Sequence, residues 1–69
     1  MVMTLSRFQT LCAGLGLDAR LGPSGGIVVV RDSETQRFVD YLDPGDLIVM
    51  NEQAAEEFVT ASRIKWLFR

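Results

Sequence analysis

The chain has 69 residues, 48% of them hydrophobic, and a net charge of −2. That is one small domain, too apolar to stay disordered and too short to hold a roomy catalytic cleft. Having no histidine and only Cys12 as a thiol, it lacks the commonest general base, a Cys–His nucleophile pair, an ordinary zinc site and any internal disulfide.

Thr4 can cap a first helix, which the spacing of Leu5, Phe8, Leu11, Cys12 and Leu15 predicts over Leu5 to Leu15. Gly16 is its expected left-handed stop. Leu17 to Leu21 alternates apolar and polar, as a short strand does. Gly22-Pro23-Ser24-Gly25-Gly26 is a turn by composition. Ile27 to Val30 is β-branched and reads as a buried strand. Asp32 to Thr35 is a polar turn. Arg37 to Leu42 is the third strand, with Phe38, Asp40 and Leu42 on one side and Arg37, Val39 and Tyr41 on the other. Short connections make the three an antiparallel meander.

Asp43-Pro44-Gly45-Asp46 breaks the chain again. Residues 47–50 are expected as a fourth strand, because Ile48 and Val49 would face water in a helix. The alternative is a longer helix from Pro44, since Leu47, Met50, Ala54, Phe58 and Ala61 also form a helical stripe. Asn51 then caps a second helix that runs to about Ser62, with Ala55, Phe58 and Val59 inward. Ile64, Trp66 and Phe68 alternate with Lys65, Leu67 and Arg69, which predicts a final short strand. A helix continuing to the end is the alternative.

The expected class is therefore α+β: an N-terminal helix, an antiparallel meander, a second helix and a short C-terminal strand, in one domain spanning 1–69. A chain this short buries only about 60% of its unfolded surface alone. Its apolar surplus predicts a homodimer, with Ile64, Trp66 and Phe68 as the interface. With no signal peptide, no long apolar run and no cysteine pair, a cytoplasmic protein without membrane insertion is expected.

Charge is unevenly distributed. Asp40, Asp43, Asp46, Glu52, Glu56 and Glu57 fall between Phe38 and Ser62 with no basic residue among them. Arg63, Lys65 and Arg69 follow without an acid. Glu52 and Glu56, four apart, repel on a helix. The block is either a solvated face or a docking surface for something basic, with Tyr41 as an aromatic anchor.

Other features favour bland roles. The Gly22–Gly26 stretch lacks the Lys-Ser/Thr of a phosphate loop and precedes a strand, so a plain turn is expected. Asp40, Asp43 and Asp46 lack calcium-loop spacing. Cys12 lies on the apolar stripe of the first helix, a small buried hydrophobe. Neither a cofactor nor a metal is expected, and no enzymatic activity.

The whole chain resembles small accessory proteins of temperate bacteriophages, and within that group it is similar to the quorum-sensing anti-activators of Pseudomonas phages. The likeness rests on size, the start Met-Val-Met-Thr-Leu-Ser, the absence of catalytic residues and the acidic middle. It implies a dimeric inhibitor that binds a LuxR-type transcription activator of the host at its DNA-binding region. A second implied target is the ATPase that drives type IV pilus assembly. Two other readings stay open. One is an anti-CRISPR-type inhibitor. The other is a small dimeric nucleic-acid binder using Arg63, Lys65, Trp66 and Arg69. Salt-dependent binding of bare DNA separates the last from the inhibitors.

Overall fold

Thr4 sets the start of the first helix by accepting the Arg7 N–H on its side-chain oxygen at 3.1 Å. In the structure, a computed structural model describing residues 3–68, this helix, α1, runs Leu5–Ala13. It ends two residues before the expected Leu15, because after Gly14 the chain tightens, the Leu15 and Gly16 N–H groups donating only three residues back to the Cys12 and Ala13 carbonyls. Gly16 takes φ +74°, a conformation open to glycine at little cost.

Three five-residue strands follow: β1 Leu17–Leu21, β2 Val28–Asp32 and β3 Phe38–Leu42. They form an antiparallel sheet in the order β1-β2-β3, the predicted meander. The first hairpin closes with the Gly22 N–H on the Ile27 carbonyl at 2.8 Å, and Gly25 supplies a positive φ. The second turns through Gln36 at φ +61°. β2 begins one residue later than expected and extends to Asp32, whose side chain builds the turn after it.

A bulge in β3 revises the predicted faces. Val30 pairs with Asp40 and Arg31 with Phe38, which leaves Val39 as an extra residue. One inserted residue breaks the period-two alternation. Val39 and Leu42 therefore both enter the core, and Asp40 turns toward the last helix. Phe38 and Tyr41 share the opposite face, their rings 6.3 Å apart. The expected grouping of Phe38 with Asp40 and Leu42 is corrected accordingly.

Residues 47–50 are not a strand. Asp43 accepts the Gly45 N–H at 2.7 Å and caps α2, Pro44–Val49, with Pro44 in its first turn. These start signals outweigh the exposure of Ile48 and of Val49, which is 81% exposed. Leu47 alone enters the core from α2, and Met50 packs against it. The helix does not continue into the next one, because Asn51 is extended and caps α3 through the Ala54 N–H at 2.7 Å.

The expected final strand is also overturned. α3 spans Glu52–Leu67, so Ile64 to Leu67 are helical. Ala55, Val59, Ser62 and Trp66 recur at spacings of four, three and four, one helical face, and all four turn inward. That continuous inner stripe carries the helix past Ser62. Arg69 lies outside the described residues.

α1 packs over β1, α3 over β3, and the two helices touch. Both cover the same face of the sheet. Phe8 and Cys12 from α1 meet Leu17, Ala19, Val28, Val30, Val39, Leu42, Leu47, Ala55 and Val59 there. Phe8 is fully buried, its ring centroid 6.0 Å from that of Phe58. Burying such a side chain contributes roughly 1.5–3 kcal/mol. Among the described residues, the helices that pack on the sheet lie on this one face.

Candidate protein-binding face

α3 carries the site because its two sides differ in chemistry. Its cations fold inward or sideways onto the sheet. Asp32 accepts Arg63 Nη1 at 3.2 Å and the Trp66 indole N–H at 3.1 Å, both on Oδ2. Lys65 Nζ lies 3.7 Å from Asp40, which also accepts the Ser62 hydroxyl at 3.5 Å. On the outward side, Gln53, Glu56, Glu57, Thr60, Ala61 and Ile64 line a shallow depression. Phe68 follows Ile64 four residues on and is 84% exposed. The N-terminal half of this face is therefore carboxylate, and the C-terminal half is apolar.

The predicted acidic residues do not act as one patch. Asp40 is engaged with α3, and its Oδ1 accepts the Tyr41 N–H at 2.8 Å. Asp43 is spent capping α2, and Asp46 stands exposed in that helix's first turn. Glu52 binds Arg7 of α1: Nε donates at 2.9 Å, and Nη2 also donates to the same oxygen. This bond, then the charge of Arg7, holds the Glu52 carboxyl below its ordinary range. Glu56 also acts on Arg7 through its charge. The Glu52–Glu56 repulsion read from the sequence is thus relieved by a residue 45 positions away. Among the described residues, Glu57 accepts from Gln53 of its own helix, at 3.3 Å.

The predicted interface residues divide as well. Ile64 lines the outer depression of α3 with Glu57, and Phe68, the cap that ends the helix, is exposed. Trp66 points the other way, partly buried against the core and bonded to Asp32. Tyr41, expected among the acidic contacts, stands on the open side of the sheet, away from the helices. The structure therefore brings together Glu56, Glu57 and Ile64, and separates them from Asp40, Tyr41 and Trp66.

Asp32 is the residue that sequence reading missed. It is 8% exposed, and its Oδ1 accepts the N–H groups of Glu34 and Thr35, each at 2.9 Å, and the Thr35 hydroxyl at 3.3 Å. The Thr35 N–H, more than any other contact, holds its carboxyl below the ordinary aspartate range against the opposing effect of desolvation. Asp-Ser-Glu-Thr does carry the signal of an aspartate turn. The long-range bonds to Arg63 and Trp66 carry none. Cys12 is buried, and desolvation pushes its thiol up to about 12, so it stays protonated and inert at neutral pH.

Among the described residues no group of three or more histidine, cysteine or acidic side chains could hold a metal ion. Among them, too, no helix is long and apolar enough to cross a membrane. No protein-family model, curated protein or solved structure matches the chain.

Proposed function

We propose that the protein is a non-enzymatic inhibitor that binds another protein through the outer face of α3. The observation that carries this reading is the placement of Glu56, Glu57 and Ile64 on one surface while Arg63 and Lys65 are drawn onto Asp32 and Asp40. A helix face with carboxylates at one end and apolar side chains at the other fits a basic, partly apolar surface. Complementary charge speeds such an encounter and selects the partner. A DNA-binding domain has such a surface, because it must hold phosphates.

The target proposed is the DNA-binding region of a LuxR-type activator in the host cytoplasm, which the phage-protein resemblance implies. The pilus assembly ATPase is the second proposed target, and the inhibitor is proposed to work as a homodimer. The nucleic-acid reading draws no support from the geometry, since Arg63, Lys65 and Trp66 are each bonded or paired to an aspartate.

The test is a titration of wild type and the Glu56→Lys/Glu57→Lys double variant against an isolated LuxR-type DNA-binding region, at low and high salt. Both side chains are exposed, so folding should change by no more than about 0.5 kcal/mol each. Binding should weaken with salt, and the double reversal should weaken it far more, since like charges juxtaposed at an interface cost several kcal/mol. Affinity indifferent to both would leave these carboxylates as a solvated face.

A further inference from the structure

The depression on the outer side of α3 is lined by one helix alone. Gln53, Glu56, Glu57, Thr60, Ala61 and Ile64 recur at spacings of three and four, so they form a straight stripe along the helix axis. At 1.5 Å per residue the stripe runs about 16 Å, three helical turns.

Its chemistry changes along that length. At the N-terminal end, Gln53 Nε2 donates to Glu57 Oε1 at 3.3 Å. Glu56 acts on Arg7 through its charge, but Arg7 is bonded to Glu52. Among these groups three carboxylates stand against one guanidinium, so negative charge is in excess. In the middle are two short side chains, Thr60 and Ala61, both exposed. Ile64, also exposed, ends the stripe.

We infer that this stripe takes a basic, amphipathic helix of its partner, lying antiparallel to α3, with its cations over Glu56 and Glu57 and its apolar side chains over Ala61 and Ile64. The inference rests on the reading that this face binds a basic target, and it names the element that docks.

Three features select that occupant. First, α3 is helical from Glu52 to Leu67, so its N–H and C=O groups along the stripe are paired within it. An extended partner would find no edge to pair with and would lay its own unpaired backbone groups over Ala61 and Ile64. A helix arrives with its backbone already satisfied. The short side chains of Thr60 and Ala61 let it come close, since packed helices lie about 8–10 Å apart according to the side chains between them.

Second, the excess of carboxylate selects cations and opposes a nucleic acid or an anionic lipid surface. Third, the two ends of the stripe give the contact a direction. Glu57 and Ile64 are seven residues apart, or about 10 Å along the axis. The partner helix therefore carries an apolar side chain and a lysine or arginine at a similar spacing. Its dipole favours cations at its C-terminal end. Setting that end over Glu56 and Glu57 makes the two helices antiparallel.

The experiment is isothermal titration of wild type, Ala61→Trp and Glu56→Lys/Glu57→Lys, with circular dichroism to confirm that each folds. Each is titrated with the isolated LuxR-type DNA-binding region and with three synthetic peptides of about 18 residues, long enough to be helical alone. The first carries a leucine stripe and two lysines at its C-terminal end. The second has the same residues with the lysines moved to the N-terminal end. The third has a proline in its middle, which breaks the helix.

Wild type should bind the first peptide, the second several-fold more weakly, and the third at least roughly tenfold more weakly. Ala61 is exposed, so Ala61→Trp should fold as wild type does. It should weaken both the target and the first peptide by roughly tenfold, because the indole holds the helix axes apart.

Target binding that is lost in Glu56→Lys/Glu57→Lys but unchanged in Ala61→Trp, with straight and broken peptides binding alike, would overturn the helical partner and leave the acidic face standing. Target binding indifferent to the double reversal would remove the face and this inference together. Tighter binding of the second peptide than of the first would overturn the antiparallel placement. A wild type that binds none of the peptides would overturn the inference whatever the target does. The peptide titrations of the unaltered chain decide the matter even where a variant misfolds.

Discussion

The outer side of α3 and the open side of the sheet are both exposed and partly apolar, yet they differ in how charge is arranged. On α3 the carboxylates Glu56 and Glu57 stand without a cation among the depression's lining residues. On the sheet Asp18 stands with Arg20 and Arg31. Charge separates them, because the α3 depression is lined by carboxylates alone, which suits a basic partner, whereas on the sheet Asp18 is already paired with Arg20 of its own chain.

Both faces depend on one core, so the largest expected effect removes both together. Phe8→Ala should cost about 3–5 kcal/mol, since Phe8 is fully buried under α3 and against Phe58. That is comparable to the whole stability of a small domain. A denaturant melt of this variant should show little or no cooperative transition. A melt close to wild type would mean that the two faces are not held by a shared core.

Trp66→Phe gives a smaller effect and sharpens the comparison. It keeps most of the buried ring but loses the indole N–H bond to Asp32, a loss of roughly 1 kcal/mol. Trp66 is partly buried against the core and lies away from the outer depression of α3, so the variant should melt slightly lower while target binding stays unchanged. Loss of target binding without a change in stability would put Trp66 back at an interface. Asn51→Ala should cost about 1 kcal/mol through the lost α3 cap, again without an effect specific to one face.

Acid should act on stability through Asp32 and Glu52. Both carboxyls are held below their ordinary ranges in the folded chain. Each therefore stabilises the fold fully above its unfolded value, and that stabilisation is lost as pH falls through the lower folded value. The melting temperature should be flat near neutrality and should fall below about pH 4. Asp32→Asn should flatten that acid limb and lower the neutral melting temperature. An unchanged acid limb in Asp32→Asn would rule out this carboxylate as a contributor.

The meander and the starts of α1 and α3 were legible in the sequence because local chemistry specifies them. Thr4 and Asn51 are capping residues, Gly16 permits a positive φ, and the runs Leu17–Leu21 and Val28–Val30 alternate or branch as strands do. The last third was harder because competing local signals were close in strength. Leu47 to Met50 has strand composition, yet Asp43 and Pro44 start a helix there and leave Ile48 and Val49 to solvent. Ile64, Trp66 and Phe68 alternate like a strand, but the inner stripe from Ala55 to Trp66 has helical spacing.

Part of the candidate site was legible in the same way. Glu56, Glu57 and Ile64 were each singled out, but under two different roles. What separated Trp66 from Ile64, and occupied Asp40 and Glu52, were Asp32, Ser62, Lys65 and Arg7. These contacts join residues 22 to 45 positions apart, and no local pattern encodes them. The bulge at Val39 likewise depends on pairing with β2.

The proposal that the outer face of α3 binds the target is tested most directly by one sedimentation velocity experiment, in which the isolated LuxR-type DNA-binding region is present or absent. Wild type, Glu56→Lys/Glu57→Lys and Tyr41→Glu would be run side by side. The Glu56/Glu57 reversal should stay folded and fail to bind the target, and Tyr41→Glu should still bind it. A folded Glu56/Glu57 reversal that binds as wild type does, or a Tyr41→Glu that does not bind, would contradict the assignment of the target to the outer face of α3.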